Sequence, residues 1–178
     1  MGRSRFKFHE IQYPYFITCS VIEGVSLFSD PELAGIILES LQFIQQQKEV
    51  LVYGFVIMEN HIHAVIQADD LGEVIMSFKS YTAKLIVKSL EARRRLIVLK
   101  KLRFHKKKHK TQSEYQVWQE GVHPKQVNSS IKMISMLEYI HNNPVKAGYV
   151  DEPIHWRYSS ARNYRGETGL IDISLYAG

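Results

Sequence analysis

The chain has 178 residues, is 45% hydrophobic and 23% charged, and carries a formal net charge of +5. That is enough apolar material for one domain with a real core, with no run near the roughly 20 apolar residues a membrane helix needs. A single cysteine, Cys19, excludes an internal disulfide and fits a reducing cytoplasm, and the N-terminal MGRSRFKFHE lacks the apolar stretch of a secretory leader.

Residues 13–21, YPYFITCSV, are aromatic and β-branched and read as a first strand. Asp30 is a helix cap with Pro31 at the first helical position. Leu33, Ile36, Ile37, Leu41 and Ile44 then recur at helical spacing to about Gln47. Two strands follow, residues 49–58 and 60–67, with Glu59-Asn60 as a turn or a break between them. A second helix opens at Leu71 and carries Val74, Ile75, Phe78, Tyr81, Leu85 and Ile86 to about Glu91.

The charge is uneven. Residues 93–110, RRRLIVLKKLRFHKKKHK, hold ten Lys or Arg and no acid, which leaves 13 basic against 18 acidic residues elsewhere. This basic insertion, about residues 92–112, is a patch on a mildly acidic body, and such a patch attracts polyanions. Beyond it lies a short β-prone piece, residues 115–118. A third helix is capped by Asn128 or Ser129, with a stripe of Ile131, Ile134, Leu137 and Ile140, and is stopped by Pro144. A turn-rich tail, about residues 144–178, ends the chain. The order predicts a single domain over residues 1–178. Its expected fold is an α+β, ferredoxin-like (RRM-like) sandwich: a mainly antiparallel sheet with helices on one face, plus the third helix and an irregular tail.

Within the third strand stands ENHIHAVIQ, residues 59–67. Alternate strand residues share a face, so His61 and His63 project together while Asn60, Ile62 and Ala64 face the other way. Two adjacent neutral imidazoles offer lone pairs that a metal ion can use. The spacing is not that of structural zinc, and a third ligand has to come from elsewhere. On the third helix Tyr139 and Asn143 are four apart and share a face. The Asn143 amide oxygen is a suitable hard ligand. Because residues before proline avoid helical backbone, Asn142 or His141 stands as an alternative. A mixed nitrogen and oxygen set suits Mn²⁺ or an adaptable Mg²⁺ site.

ENHIHAVIQ, followed by LEYIHNNPVKAGYV at residues 137–150, resembles the single-tyrosine HUH transposases. The likeness is greatest to the REP-associated tyrosine transposases and their relatives in small bacterial insertion sequences. YGFVIM before the histidines, SFKSYTA at residues 77–83, Trp118 and WRYSSARNY at residues 156–164 extend the resemblance over most of the chain. Two features depart from it: the basic insertion is longer and more basic than usual, and QEGVH follows Trp118 where relatives carry basic or bulky residues.

The resemblance implies cleavage and rejoining of single-stranded DNA by Tyr139 through a 5′-phosphotyrosine, with Mg²⁺ or Mn²⁺ held by His61, His63 and Asn143 and no nucleotide cofactor. It implies hairpin or repeat DNA as partner, a bacterial cytoplasmic protein associated with the nucleoid when bound, and either a monomer or a homodimer in which Tyr139 serves the partner's histidines. Candidate DNA contacts are Arg93, Arg94, Arg95, Lys100, Lys101, Arg103, Lys106, Lys107, Lys108 and Lys110, with Trp118 stacking on a base. Lys79 and Lys84 lie on the second helix. Ser159 and Ser160 are expected only to shape the tail. Two competing readings are a DNA-binding module with structural histidines and a domesticated transposase that nicks poorly.

Overall fold

A computed structural model describes residues 10–176. In chain order its elements are β1 (Tyr15–Ser20), α1 (Pro31–Lys48), β2 (Leu51–Ile57), β3 (His61–Gln67), α2 (Leu71–Ala92), α3 (Leu96–Phe104), β4 (Lys125–Gln126), α4 (Ser130–Lys146) and α5 (Ala161–Tyr164). The strands form one antiparallel sheet in the order β2-β3-β1-β4. The crossover from β1 through α1 to β2 leaves a gap that β3 fills, which produces the expected ferredoxin-like sandwich.

Local chemistry sets the helix starts. Asp30 accepts from the Glu32 amide with Pro31 behind it, Asp70 accepts from the Glu73 amide, and Ser129 accepts from the Lys132 amide. The strands then alternate between two apolar clusters. Ile17, Cys19, Val52, Phe55, Ile57, Ile62, Ala64 and Ile66 meet Leu33, Ile37 and Leu41 of α1 and Val74, Ile75, Phe78 and Ile86 of α2. Phe16, Val56 and Val65, from the intervening positions, meet Met133, Leu137 and Ile140 of α4 on the other side.

Several boundaries differ from expectation. Residues 115–118 form no strand; Trp118 makes only an isolated bridge to Val21, and the fourth strand is Lys125–Gln126. The basic insertion contains a helix, α3, because Leu99 and Leu102 are three apart and both bury in the larger cluster. On α4 the buried positions are Met133, Leu137, Ile140 and Pro144, whereas Ile131 and Ile134 are exposed, so the stripe is rotated from the expected one. Pro144 does not stop α4. The helix passes through it to Lys146 and closes with the Gly148 amide on Val145 O and the Tyr149 amide on Pro144 O, Gly148 taking φ +77°. The tail therefore begins after α4 rather than at 144. Tyr81 is exposed and stacks on Phe43 instead of packing in the core.

The tail covers the free edge of β2. Ile57 N–H donates to Tyr158 O, Ser160 N–H to Phe55 O, Ser174 N–H to Val52 O and the Tyr164 hydroxyl to Tyr53 O. An edge that would otherwise invite pairing with another chain is thereby satisfied.

Candidate active site

β3 delivers both histidines to the α4 face. Their ring centroids lie 4.7 Å apart. Asn60 does not face away as strand alternation suggested. It precedes β3, and its side chain folds back so that Oδ1 meets His61 Nδ1 at 2.7 Å while Nδ2 donates to Gly24 O. A carbonyl oxygen only accepts, so His61 carries its proton on Nδ1 and keeps the lone pair on Nε2. His63 Nδ1 is engaged by the Thr18 hydroxyl at 2.8 Å, from the neighbouring strand where Thr18 and His63 are paired. Burial lowers the basicity of both rings. His63 falls to about 3, through burial, then the His61 and Lys125 charges; His61 is lowered by burial against an opposing effect of Glu59. Both are therefore neutral at pH 7, the state in which imidazole is a ligand.

α4 lays Tyr139 against His63 of this pair. Its ring is 5.3 Å from that of His63 and 5.7 Å from Phe16, and Phe16 itself stacks on His63 at 5.2 Å. Tyr139 is 41% exposed, so a large substrate can reach it. The histidines and the phenol thus meet within one chain. Asn143 lies inside the helix, one turn after Tyr139 on the same face. The two alternatives are engaged elsewhere: Asn142 Nδ2 donates to Glu138 O, and His141 Nε2 meets Ser160 Oγ at 2.9 Å beside the Tyr164 ring. Among the described residues no three of His, Cys, Asp and Glu cluster as a metal site, so any third ligand here has to be of another type.

The approach of α4 depends on a residue the sequence reading did not single out. A Cβ at Gly54 would lie 2.5 Å from Leu137 Cδ2 and 3.3 Å from Ser160 Oγ. With glycine there, the Leu137 side chain packs directly over the β2 backbone. Ser160, read earlier as a tail residue, is fully buried and ties Phe55 N–H to His141. Thr18 was also missed. A polar residue opposite a histidine in an apolar strand is a signal, but it becomes readable only once the β1–β3 register is known.

The proposed DNA contacts are dispersed. Trp118 is buried between Phe28 and Phe78 and donates its indole N–H to Thr82, so it is not available to stack on a base. Arg93 pairs with Asp30 at 2.8 Å and Glu32 at 3.4 Å, pinning the end of α2 to the start of α1. Arg103 pairs with Glu114, Lys106 donates to Lys110 O, and Lys110 lies 3.5 Å from Glu120. Arg94, Arg95, Lys100, Lys101, Lys107 and Lys108 are exposed. α3 joins the α1/α2 layer, on the sheet face opposite the histidines. Lys79 spends its ammonium on Gln119 O and Gly121 O.

The model of the family described as "Transposase IS200 like" matches residues 12–143, a span that includes both histidines, Tyr139 and Asn143. The chain belongs to this transposase family. A solved structure described as the REP-associated tyrosine transposase bound to a REP hairpin is similar at TM-score 0.66 and 15% identity, over 99% of this chain and 96% of that one. At that identity the likeness establishes the fold. A putative transposase from Deinococcus radiodurans gives TM-score 0.48 at 15% identity over 78% of this chain and 95% of its own. A search of the curated proteins finds no match. In this family member no helix among the described residues is long and apolar enough to cross a membrane.

Proposed function

We propose that the chain cleaves and rejoins single-stranded DNA through Tyr139, acting beside the histidines of its own subunit. The observation that carries this is the ring contact of Tyr139 with His63, 5.3 Å, on a helix held against the strand that bears both imidazoles. The Tyr139 oxygen attacks the scissile phosphorus and forms the 5′-phosphotyrosine. The 3′ oxygen leaves and receives a proton, and the phenolic proton is released. One phosphodiester replaces another, so attack by a 3′-hydroxyl reverses the step and rejoins a strand. Holding nucleophile and phosphorus in line supplies much of the acceleration.

The residues fit a divalent ion. Two neutral imidazoles have their Nδ1 atoms engaged by Asn60 and Thr18, the outer-shell arrangement typical of metal-bound histidine, and an amide oxygen stands one turn past the tyrosine. His61, His63 and Asn143 would hold Mg²⁺ or Mn²⁺, which when bound supplies polarisation of the scissile phosphate and stabilises its developing charge. Asn143 is preferred over Asn142 and His141 because those two are already bonded. The fold likeness to a transposase solved on a REP hairpin, with the YIHNNPVKAGYV segment, supports hairpin-flanked single strands as the substrate.

The test is incubation with labelled single strands drawn from hairpin repeats flanking the gene, with Mn²⁺, with Mg²⁺ and with chelator. A covalent adduct is expected with metal, absent in Tyr139→Phe and severely reduced in His61→Ala. DNA binding with no adduct would leave a DNA-binding module, and an adduct persisting in Tyr139→Phe would place the nucleophile elsewhere.

A further inference from the structure

We infer that Lys125 and Lys146 form a pair of phosphate grips that hold the backbone of a single DNA strand across Tyr139. The inference rests on the single-strand reading above. It assigns to two residues outside the basic insertion the role that composition gave to the insertion.

Lys125 is the cross-strand partner of Phe16, so the two side chains leave the sheet on the same face. Its Nζ stands 5.8 Å from the centroid of the Phe16 ring, the ring that stacks on His63. Lys146 is seven residues after Tyr139, two turns along the same helix face, with Asn143 between them. Its side chain leans back toward the helix start and brings Nζ 5.7 Å from the centroid of the Tyr139 ring. Phe16, His63 and Tyr139 form one aromatic cluster, and an ammonium rests over two of its three rings, Phe16 and Tyr139.

The charge distribution gives these contacts meaning. Among the described residues neither ammonium is ion-paired with a carboxylate; the pairs there involve Arg93, Arg103, His109 and Lys110. The insertion thus spends part of its charge on Asp30, Glu32, Glu114 and Glu120, while the histidine face keeps two exposed cations without counterions. Neutral imidazoles contribute no charge of their own. An incoming polyanion would meet positive charge at the Tyr139 ring and at the neighbouring Phe16 ring, and contacts to successive phosphates would fix the register of the strand over the phenol. Each lysine would act as a positioning residue for the phosphate that Tyr139 attacks.

Lys125→Met and Lys146→Met keep the aliphatic stem on each ring and remove the charge. Affinity for a single-stranded oligonucleotide is measured by anisotropy across a salt series, with chelator present so that metal plays no part. The slope of log affinity against log salt is expected to fall by about 0.7 for each lysine lost, and to return in the Arg variants. The second arm replaces single linkages flanking the cleavage position with neutral methylphosphonate. Wild-type adduct formation is expected to fall about tenfold at one linkage for each lysine, and the matching Met variant is expected to lose no more there. Unchanged salt slopes, or equal losses on neutral and charged linkages, overturn the inference. Normal slope changes without any adduct in the wild type would sink the tyrosine chemistry and leave the grips standing.

Discussion

The two faces of the sheet are built from the same strands and do opposite work. On the α1/α2 face, Ile62, Ala64 and Ile66 of β3 disappear into a core that also takes Phe55, Ile37 and Ile86, each 0–4% exposed. On the α4 face the alternate residues of that strand are His61, His63 and Val65, met by a smaller cluster and by a half-exposed tyrosine. A slip of one residue in β3 would bury the imidazoles and expose the isoleucines. One face supplies the stability that lets the other keep polar groups partly uncovered.

Substitutions that discriminate the faces test this division. The largest effect is expected from Phe55→Ala, which empties the main core and costs about 3–5 kcal/mol in denaturant unfolding. A much smaller loss would mean the α1/α2 face is not the stabilising one. In Gly54→Ala the added Cβ forces the Leu137 side chain, packed on β2, to shift. The substitution should cost about 1–3 kcal/mol by overpacking and depress adduct formation further than the stability loss explains, because Tyr139 rides on the same helix as Leu137. Thr18→Val leaves His63 Nδ1 without its partner. Mn²⁺ affinity, read by electron paramagnetic resonance, should weaken at least about tenfold, with Thr18→Ser restoring most of it.

A pH effect follows from His141, which burial lowers to about 4. The unfolded chain takes up this proton at its ordinary value near 6.5, the folded one only near 4. Stability is therefore full above pH ~6.5 and declines as pH falls toward ~4. His141→Gln should flatten that decline in urea titrations. The smallest effect is expected from Ile131→Lys. Although apolar, Ile131 is 82% exposed, so stability should stay within about 0.5 kcal/mol.

Much of this was legible from residues alone. The helix start at Pro31 was readable because Asp30 carries capping chemistry in the chain itself, and the second helix because apolar residues recur at helical spacing from Leu71. The histidine pair was readable because strand alternation is a property of any extended backbone. The rotated stripe on α4 was not. Leu137 and Ile140 were rightly placed, but helical spacing admits Ile131 and Ile134 as well as Met133 and Pro144 beside them, and the sheet chose the second pair. α3 was hidden because ten cations among 18 residues masked Leu99 and Leu102, whose burial depends on a neighbouring helix. Trp118 looked like a stacking residue because an indole serves both roles; the Thr82 hydroxyl and two phenylalanines decided for the core.

The sequence by itself determined the order β1-α1-β2-β3-α2, the shared direction of His61 and His63, and the helical adjacency of Tyr139 and Asn143, since these follow from backbone periodicity over a few residues. Only the tertiary structure decided that Tyr139 meets His63 in the same subunit, that Thr18 holds the His63 imidazole, and that Lys125 lies over Phe16 beside that pair. Those contacts join residues far apart in the chain, and their geometry is set by strand register and by how closely one helix approaches the sheet.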